Sequence, residues 1–357
     1  MSFRSAILSA ALIVLCLPAI GLAAPRGQAP KPVKNSRRPA APAAKVKKAM
    51  PTDPSAPAAK PKMSGNPVFP GWYADPELHL FRGKYFIYPT TSENYELQTY
   101  FEVWSSDDLT NWVNGGRILN FADIPWSTNR AAWAPSVAEK DGKYYMYFSA
   151  GDGAGIGVAV ADAPGGPFRD ALGKPLVPDW PFGAQPIDAQ CFIDDNGQAY
   201  LYFGGHSHAA VVKLGKDMIS LDGPYHEITP EDYVEGPYMV KRKGIYYFMW
   251  SEGGWGNASY AAAYARSSSP LGPFKREGRI LQNNPKVGAG AGHHSVLNIP
   301  GTDDWYACYH RRPLTETHHN HRVVCIDRMY FNAQGGIEPI EITAEGVPAR
   351  PAKAAKK

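Results

Sequence analysis

Cysteine, long apolar runs and helical periodicity are all scarce in this chain of 357 residues, and each shortage excludes something. Of the four cysteines, Cys16 lies in the leading apolar segment, which leaves Cys191, Cys308 and Cys325. That odd number, without zinc-site spacing, argues against a disulfide scaffold and a structural zinc, and leaves one pairing open, Cys308 with Cys325. The one sustained apolar run, residues 6–17, follows Arg4 and precedes the small-residue stretch Gly21-Leu22-Ala23-Ala24. It is too short to span a bilayer and reads as a secretory signal over residues 1–24, cleaved near Ala23 or Ala24. With no later membrane segment in the sequence, the expectation is a protein exported to the periplasm or beyond the cell, and soluble there.

Positive charge is scarce too, once the chain ends are set aside. Residues 25–62 are rich in Pro, Ala and Lys and hold ten Lys or Arg against Asp53 alone, and residues 350–357 add four positive charges and no negative one. Both read as disordered, the first as a linker and the second as a basic tail. The net +4 of the whole chain belongs to these ends, because residues 63–349 hold 22 Lys and Arg against 32 Asp and Glu, a net −10. A folded part so short of positive surface excludes nucleic acid as a partner. The linker is either a solvated spacer or a contact for anionic envelope material.

What is present is a repeat. A turn followed by an aromatic strand recurs as GKYFIYPT from Gly83, GKYYMYFS from Gly142, GQAYLYFG from Gly197, GIYYFMWS from Gly244 and, more weakly, DDWYACYH from Asp303. The starts are 59, 55, 47 and 59 residues apart, about one four-stranded sheet each. Both alternating faces are apolar or aromatic, as in Tyr144, Met146 and Phe148 against Tyr145 and Tyr147, so each strand expects cover on two sides. Dense Gly and Pro turns between the units complete an all-β pattern, which predicts a five-bladed β-propeller over residues 63–349 rather than a β-sandwich.

Counting back from each turn, Asp75, Ala134, Asp188, Glu235 and His293 stand at near-equivalent places on the strand before the hairpin. Three carboxylates and a histidine aimed at one end of a channel repel one another and lose hydration, a cost that points to use rather than structure. One acid to protonate a leaving oxygen and one base to activate water is the requirement for cleaving a glycosidic bond; hydrolysis at a metal held by the same cluster is the competing chemistry. Trp72, Tyr73 and Trp133 flank the site as sugar-stacking faces or as packing. The stretch 92–130, with Tyr95, Tyr100, Phe101, Trp104 and Trp126, reads as an insert walling one end of a cleft. His318, His319 and His321 crowd one loop without acidic partners and read as solvent-exposed rather than as a zinc site.

These residues carry a resemblance. NPVFPGWYADP with Asp75, WAPSV from Trp133, PIDAQCFIDDNG with Asp188, YVEGPYMVKRKGIYYFMWS with Glu235 and GAGHHS with His293 together resemble glycoside hydrolase family 43 over residues 66–340. The resemblance implies an inverting enzyme of five blades that releases arabinose or xylose from plant polysaccharides. It implies Asp75 as general base, Glu235 as general acid, and Asp188 as the carboxylate that orients the acid and tunes its pKa. It also implies that Arg322 contacts the carbohydrate substrate, where an ion pair is the plainer alternative, and that His293 faces an axial metal, often calcium held largely by water, where a hydrogen-bonded core residue is the alternative. An exo-acting α-L-arabinofuranosidase is the leading expectation, beside a β-xylosidase, an endo-arabinanase and a non-catalytic carbohydrate-binding propeller.

Overall fold

The computed structural model describes residues 61–352, so the expected signal segment, residues 25–60 of the expected linker and residues 353–357 of the tail lie outside the described residues. Each recurring turn closes the hairpin between the first two strands of a separate antiparallel sheet. Blade 1 is Tyr73–Phe81, Lys84–Thr91, Tyr100–Ser106 and Trp112–Asn120; blade 2 is Trp133–Lys140, Lys143–Ala150, Gly155–Ala161 and Arg169–Asp170. Blade 3 is Gln190–Ile193, Ala199–Phe203, Ala210–Lys213 and His226–Glu227; blade 4 is Glu235–Arg242, Ile245–Glu252, Ala261–Ser267 and Lys275–Leu281. Blade 5 has three strands, Ala289–Asn298, Trp305–Arg312 and Val323–Met329. Spatial order follows chain order within every sheet, and the first strands of successive blades contact one another, the fifth touching the first. The fold is a five-bladed β-propeller.

The two-faced aromatic strands have a direct reason. Five apolar clusters fill the five interfaces between neighbouring blades, so a second strand such as Lys143–Ala150 sends Tyr144, Met146 and Phe148 toward blade 1 and Tyr147 toward blade 3. The same alternation decides the cysteines. Cys308 pairs with Ile326 and Cys325 with Tyr309, one residue out of step, so they face opposite sides of blade 5 and cannot form the disulfide left open above. Cys191, Cys308 and Cys325 are all free and buried.

Ring closure uses the start of the chain. Residues 66–73 run beside the third strand of blade 5, with the Val68 N–H donating to the Val324 carbonyl (3.0 Å) and the Tyr73 N–H to that of Arg322 (2.8 Å). The Asn66 side chain accepts from the Ile326 N–H (2.9 Å) and donates to the carbonyls of Ile326 (3.2 Å) and Thr343 (3.1 Å) and to the Asp327 carboxylate (3.0 Å). The far end of the chain is tied to the same place, since the Thr343 hydroxyl donates to Asp327 (2.6 Å) and the Ser64 N–H to the Val347 carbonyl (2.8 Å).

Two sequence expectations need correction. Residues 92–130 are not an insert: they supply the two outer strands of blade 1, with Phe101 and Trp104 buried in blade cores and Trp126 packed on the core between blades 1 and 2, and of the aromatics named there Tyr95 reaches the pocket described below. The tail does not become free at residue 350, because the Arg350 and Ala352 N–H groups donate to the Asp108 and Asp107 carbonyls (both 2.8 Å) and the Arg350 guanidinium pairs with Asp304 at 2.6 Å. Among the described residues no helix is long and apolar enough to cross a membrane.

Asn66→Ala strips the closure of four hydrogen bonds and leaves buried groups unpaired, so it should lower stability by about 1–3 kcal/mol and the melting temperature by several degrees. Calorimetry checks this, and an unchanged melting temperature would show that the ring closes without Asn66.

Candidate active site

The innermost strands of blades 1, 2, 4 and 5 break register near their starts, and in all five blades one residue there, just ahead of the strand in blade 3, lies in the left-handed region: Asp75 (φ 47°), Ala134 (42°), Asp188 (58°), Gly236 (64°) and His293 (34°). The equivalent of Asp75 in blade 4 is therefore Gly236, and Glu235 stands one residue earlier, level with Trp133 and Ile187. This corrects the sequence alignment of the five positions. Four of the five are not glycine, a strained backbone that neighbouring groups must hold in place.

The holding groups come from the preceding blade. The Ala134 N–H donates to Thr90 Oγ1 (2.7 Å), that of Asp188 to Ser149 Oγ (2.8 Å), that of His293 to Ser251 Oγ (2.9 Å) and that of Asp75 to His310 Nδ1 (3.1 Å). The matching place in blade 3 is Gly204, whose N–H donates to the Ile187 carbonyl; a Cβ there would stand 2.1 Å from the His208 carbonyl oxygen. No side chain fits, so the Gly236 N–H is taken by Asp188 Oδ2 instead, at 3.1 Å. The absence of one side chain thereby aims Asp188 along the axis toward the acid of blade 4.

Above this ring lies a cavity of about 420 Å³, open to solvent and lined by Asp75, Asp188, Glu235, His293, Arg322, Tyr95, Trp133, Ile187 and Trp255. Asp75 Oδ1 lies 3.2 Å from His310 Nδ1, 3.4 Å from His293 Nδ1 and 3.4 Å from Arg322 Nη1. Burial pushes the Asp75 carboxyl up, but His293, Arg322 and His310 outweigh it and hold the group well below the usual carboxylate range. Asp188 is the reverse case, pushed well above that range by burial, by Glu235 and by Asp75. Burial also raises Glu235, with the Tyr260 hydroxyl, donating to Oε1 at 2.8 Å, working the other way. One side of the pocket thus holds an ionised carboxylate and the other two carboxyls that favour sharing a proton.

The remaining expected residues separate. Trp133 lines the pocket, edge-on to Tyr95 and donating Nε1–H to Gln98, and the Arg322 guanidinium sits 5.4 Å over the Trp255 ring and donates to Ser92 Oγ. Trp72 and Tyr73 do not line it. The Trp72 ring stacks on His321 (4.5 Å) against the core between blades 4 and 5, and Tyr73 turns toward Phe69 and Trp104 with its hydroxyl donating to Glu102. Trp72 and Tyr73 point to opposite sides, into the cores on either side of blade 5, and the left-handed backbone at Asp75 breaks the alternation after them. His318 and His321 stack on each other, and Glu316, the acidic partner not expected for this loop, lies 3.0 Å from His321.

His293 also lines a narrower axial cavity below, with Glu77, Ser136, Asp188 and Gln190. The Glu77 carboxylate is already committed to the Ser136 hydroxyl and the Val137 N–H, and among the described residues no group of three or more His, Cys, Asp or Glu is arranged to hold a metal ion. Calcium wants six to eight oxygen ligands, which these residues alone do not offer.

Sequence reasoning passed over Ile187, Trp255, Tyr260 and His310, and reached Tyr95 as one of the aromatics of residues 92–130. The signal for His310 was present, because it ends the fifth repeat just where Thr90, Ser149 and Ser251 end theirs. Trp255 and Tyr260 lie outside the repeated segments and carried none.

Comparison with known proteins identifies the family. The model of glycosyl hydrolases family 43 matches residues 64–337. An Aspergillus niger protein named β-D-galactofuranosidase is 56% identical over 299 residues, covering 80% of this chain and 88% of its own, and a xylosidase/arabinosidase of Humicola insolens is 32% identical over 74% of this chain and 95% of its own. The solved structure of an α-L-arabinofuranosidase from Clostridium thermocellum superposes with a TM-score of 0.65 at 35% identity, covering 77% of this chain and 95% of that one. The chain belongs to glycosyl hydrolase family 43 and is a glycosidase.

Proposed function

We propose that this glycosidase is an exo-acting, inverting furanosidase in which Asp75 activates water and Glu235 protonates the leaving oxygen. The observation that carries the assignment is the opposed protonation across the pocket. A base must be ionised and an acid protonated at one pH, and Asp75 is held low while burial lifts Glu235 beside Asp188. Asp188, fixed by the Gly236 N–H, is the carboxyl that shares a proton with Glu235 and orients it, and in this reading the Arg322 guanidinium beside Asp75 binds sugar hydroxyls. No step in this scheme needs the calcium expected near His293.

The names of the relatives favour furanosides. α-L-Arabinofuranosides and β-D-galactofuranosides present the same ring configuration to an enzyme and differ in the exocyclic carbon, so one pocket chemistry serves both. A xylosidase is the second reading, supported by the relatives named for both activities. The apolar leader over residues 1–24 supports an exported enzyme.

Nitrophenyl α-L-arabinofuranoside, β-D-galactofuranoside and β-D-xyloside separate these readings, with proton NMR of the first product showing the inverted anomer. A retained anomer would overturn the roles given to Asp75 and Glu235, and a xyloside turned over fastest would overturn the furanoside preference. Glu235→Gln should lower turnover of poor leaving groups by about 10² to 10⁴ and good ones by less.

Asp188 generates a stability prediction. A carboxyl whose folded pKa exceeds its unfolded value of about 3.9 destabilises the fold increasingly as pH rises from about 4 toward the folded value. Asp188→Asn removes that penalty and keeps an oxygen for the Gly236 N–H. Its melting temperature should exceed the wild type's at pH 8 by more than at pH 4, while activity falls; an equal difference at both would refute the raised pKa.

A further inference from the structure

The loop that enters blade 3 carries two aromatic side chains that no core uses. Trp180 is 43% exposed and Phe182 48% exposed, in a segment leading directly to Ile187 and Asp188 in the pocket. Phe182 is held at φ 57°, a conformation unfavourable for a bulky side chain, and followed by Gly183 at φ 84°. Trp180 is fixed edge-on by His206 (5.2 Å, 87°) and backed by Gly153, where a Cβ would come within 2.9 Å of the indole. His206 is followed by Ser207, whose N–H donates to the carbonyl of Val234, the residue before Glu235. The pair therefore stands on the blade 3 side of the pocket, braced by a loop bonded to the residue before Glu235.

We propose that Trp180 and Phe182 form a binding platform for the sugar rings of the leaving-group chain, which stack on their exposed faces while the terminal furanose fills the pocket. The placement rests on Glu235 being the acid. A ring fixed before binding loses little freedom on contact, and aromatic faces suit the apolar face of a sugar.

The test is calorimetric binding of an arabinofuranosyl trisaccharide to Glu235→Gln protein, with and without Trp180→Ala, alongside kinetics of the catalytically intact chain. Trp180→Ala should weaken trisaccharide binding roughly 3- to 10-fold and lower the ratio of kcat/KM on the trisaccharide to that on the nitrophenyl glycoside by a similar factor. Unchanged affinity, absent binding, or equal losses on both substrates would overturn the platform. Absence of hydrolysis in the intact chain would instead overturn the proposed function and leave the binding result to decide the platform.

An independent observation concerns Tyr260. Its ring is 1% exposed, its hydroxyl donates to Glu235 Oε1 at 2.8 Å, and it lies stacked with His310 (5.7 Å, 10°), the residue that holds Asp75. It reaches this place because residue 292 is glycine, where a Cβ would stand 2.5 Å from the ring. We infer that Tyr260 is a positioning residue that aims the Glu235 carboxyl at the leaving oxygen and links it, through His310, to the setting of Asp75. This too rests on Glu235 being the acid.

Glu235 is faced by Asp188, Asp75, Arg322, Tyr233, Tyr95 and Tyr260, and of these Tyr260 donates to it. Loss of that donor raises the Glu235 pKa, so Tyr260→Phe should move the alkaline limb of kcat/KM upward by roughly one pH unit. Gly292→Ala, which keeps the hydroxyl but displaces the ring, should shift it the same way, and the double variant should shift it no further than the larger single shift. A limb that stays in place in Tyr260→Phe, or additive shifts, would overturn the clamp. If no variant of the intact site hydrolyses any glycoside, proton NMR titration of Glu235 reads the same shift without catalysis.

Discussion

The structure depends on a hydrogen bond repeated around the axis, in which a side chain of one blade takes a backbone N–H of the next. One ring of these bonds holds the left-handed residues that form the pocket floor. A second lies two residues deeper, where Glu77 receives the Val137 N–H, Ser136 that of Cys191 (3.1 Å), Gln190 that of Met239 (3.2 Å) and Ser295 that of Leu78 (2.9 Å). Innermost strands have no sheet partner on their axial side, so their inward N–H groups need such acceptors. Packing between blades is apolar and tolerant of small slips; these polar rings are directional and set the relative height of the blades.

Much of this was legible in the sequence, because repetition multiplies weak signals. One aromatic strand after a glycine says little, whereas five at intervals near fifty residues fix the architecture and locate Asp75, Asp188 and His293 in it. The one-residue error at Glu235 came from counting back to turns of unequal length. Asp194 and Asn196 lengthen the blade 3 turn by local bonds, so a distance of nine residues there matched Glu235 when eight was correct for blade 4. What repetition does not touch stayed hidden. Trp255 and Tyr260 come from connections that differ in every blade, and the directions of Trp72 and Tyr73 depend on which way the entering chain turns before the ring closes.

The chemistry of the pocket follows from unequal surroundings imposed on similar groups. Asp75 and Asp188 occupy equivalent places with equivalent backbones, yet one faces two imidazoles and a guanidinium while the other shares the His293 imidazole, 3.6 Å away, and faces the Glu235 carboxylate. His310 is pushed down to about 3 by burial, so it serves Asp75 as a neutral hydrogen-bonding partner. The difference in proton affinity between the two sides is built from neighbours contributed by blades 4 and 5 and by the loop bearing Arg322, and its stability against pH depends on their remaining in register.

Gly204 gives this arrangement its asymmetry. A hydroxyl at all five places would satisfy each inward N–H and leave no carboxylate pulled out of place. Two places depart from that pattern, His310 in blade 5 and Gly204 in blade 3, and at the second the Asp188 carboxylate stands in for the missing side chain and becomes part of the site. The crowding of the His208 carbonyl against residue 204 closes the alternative, since a serine placed there would collide before it could bond. A steric lock on one glycine therefore keeps Asp188 committed to the axis.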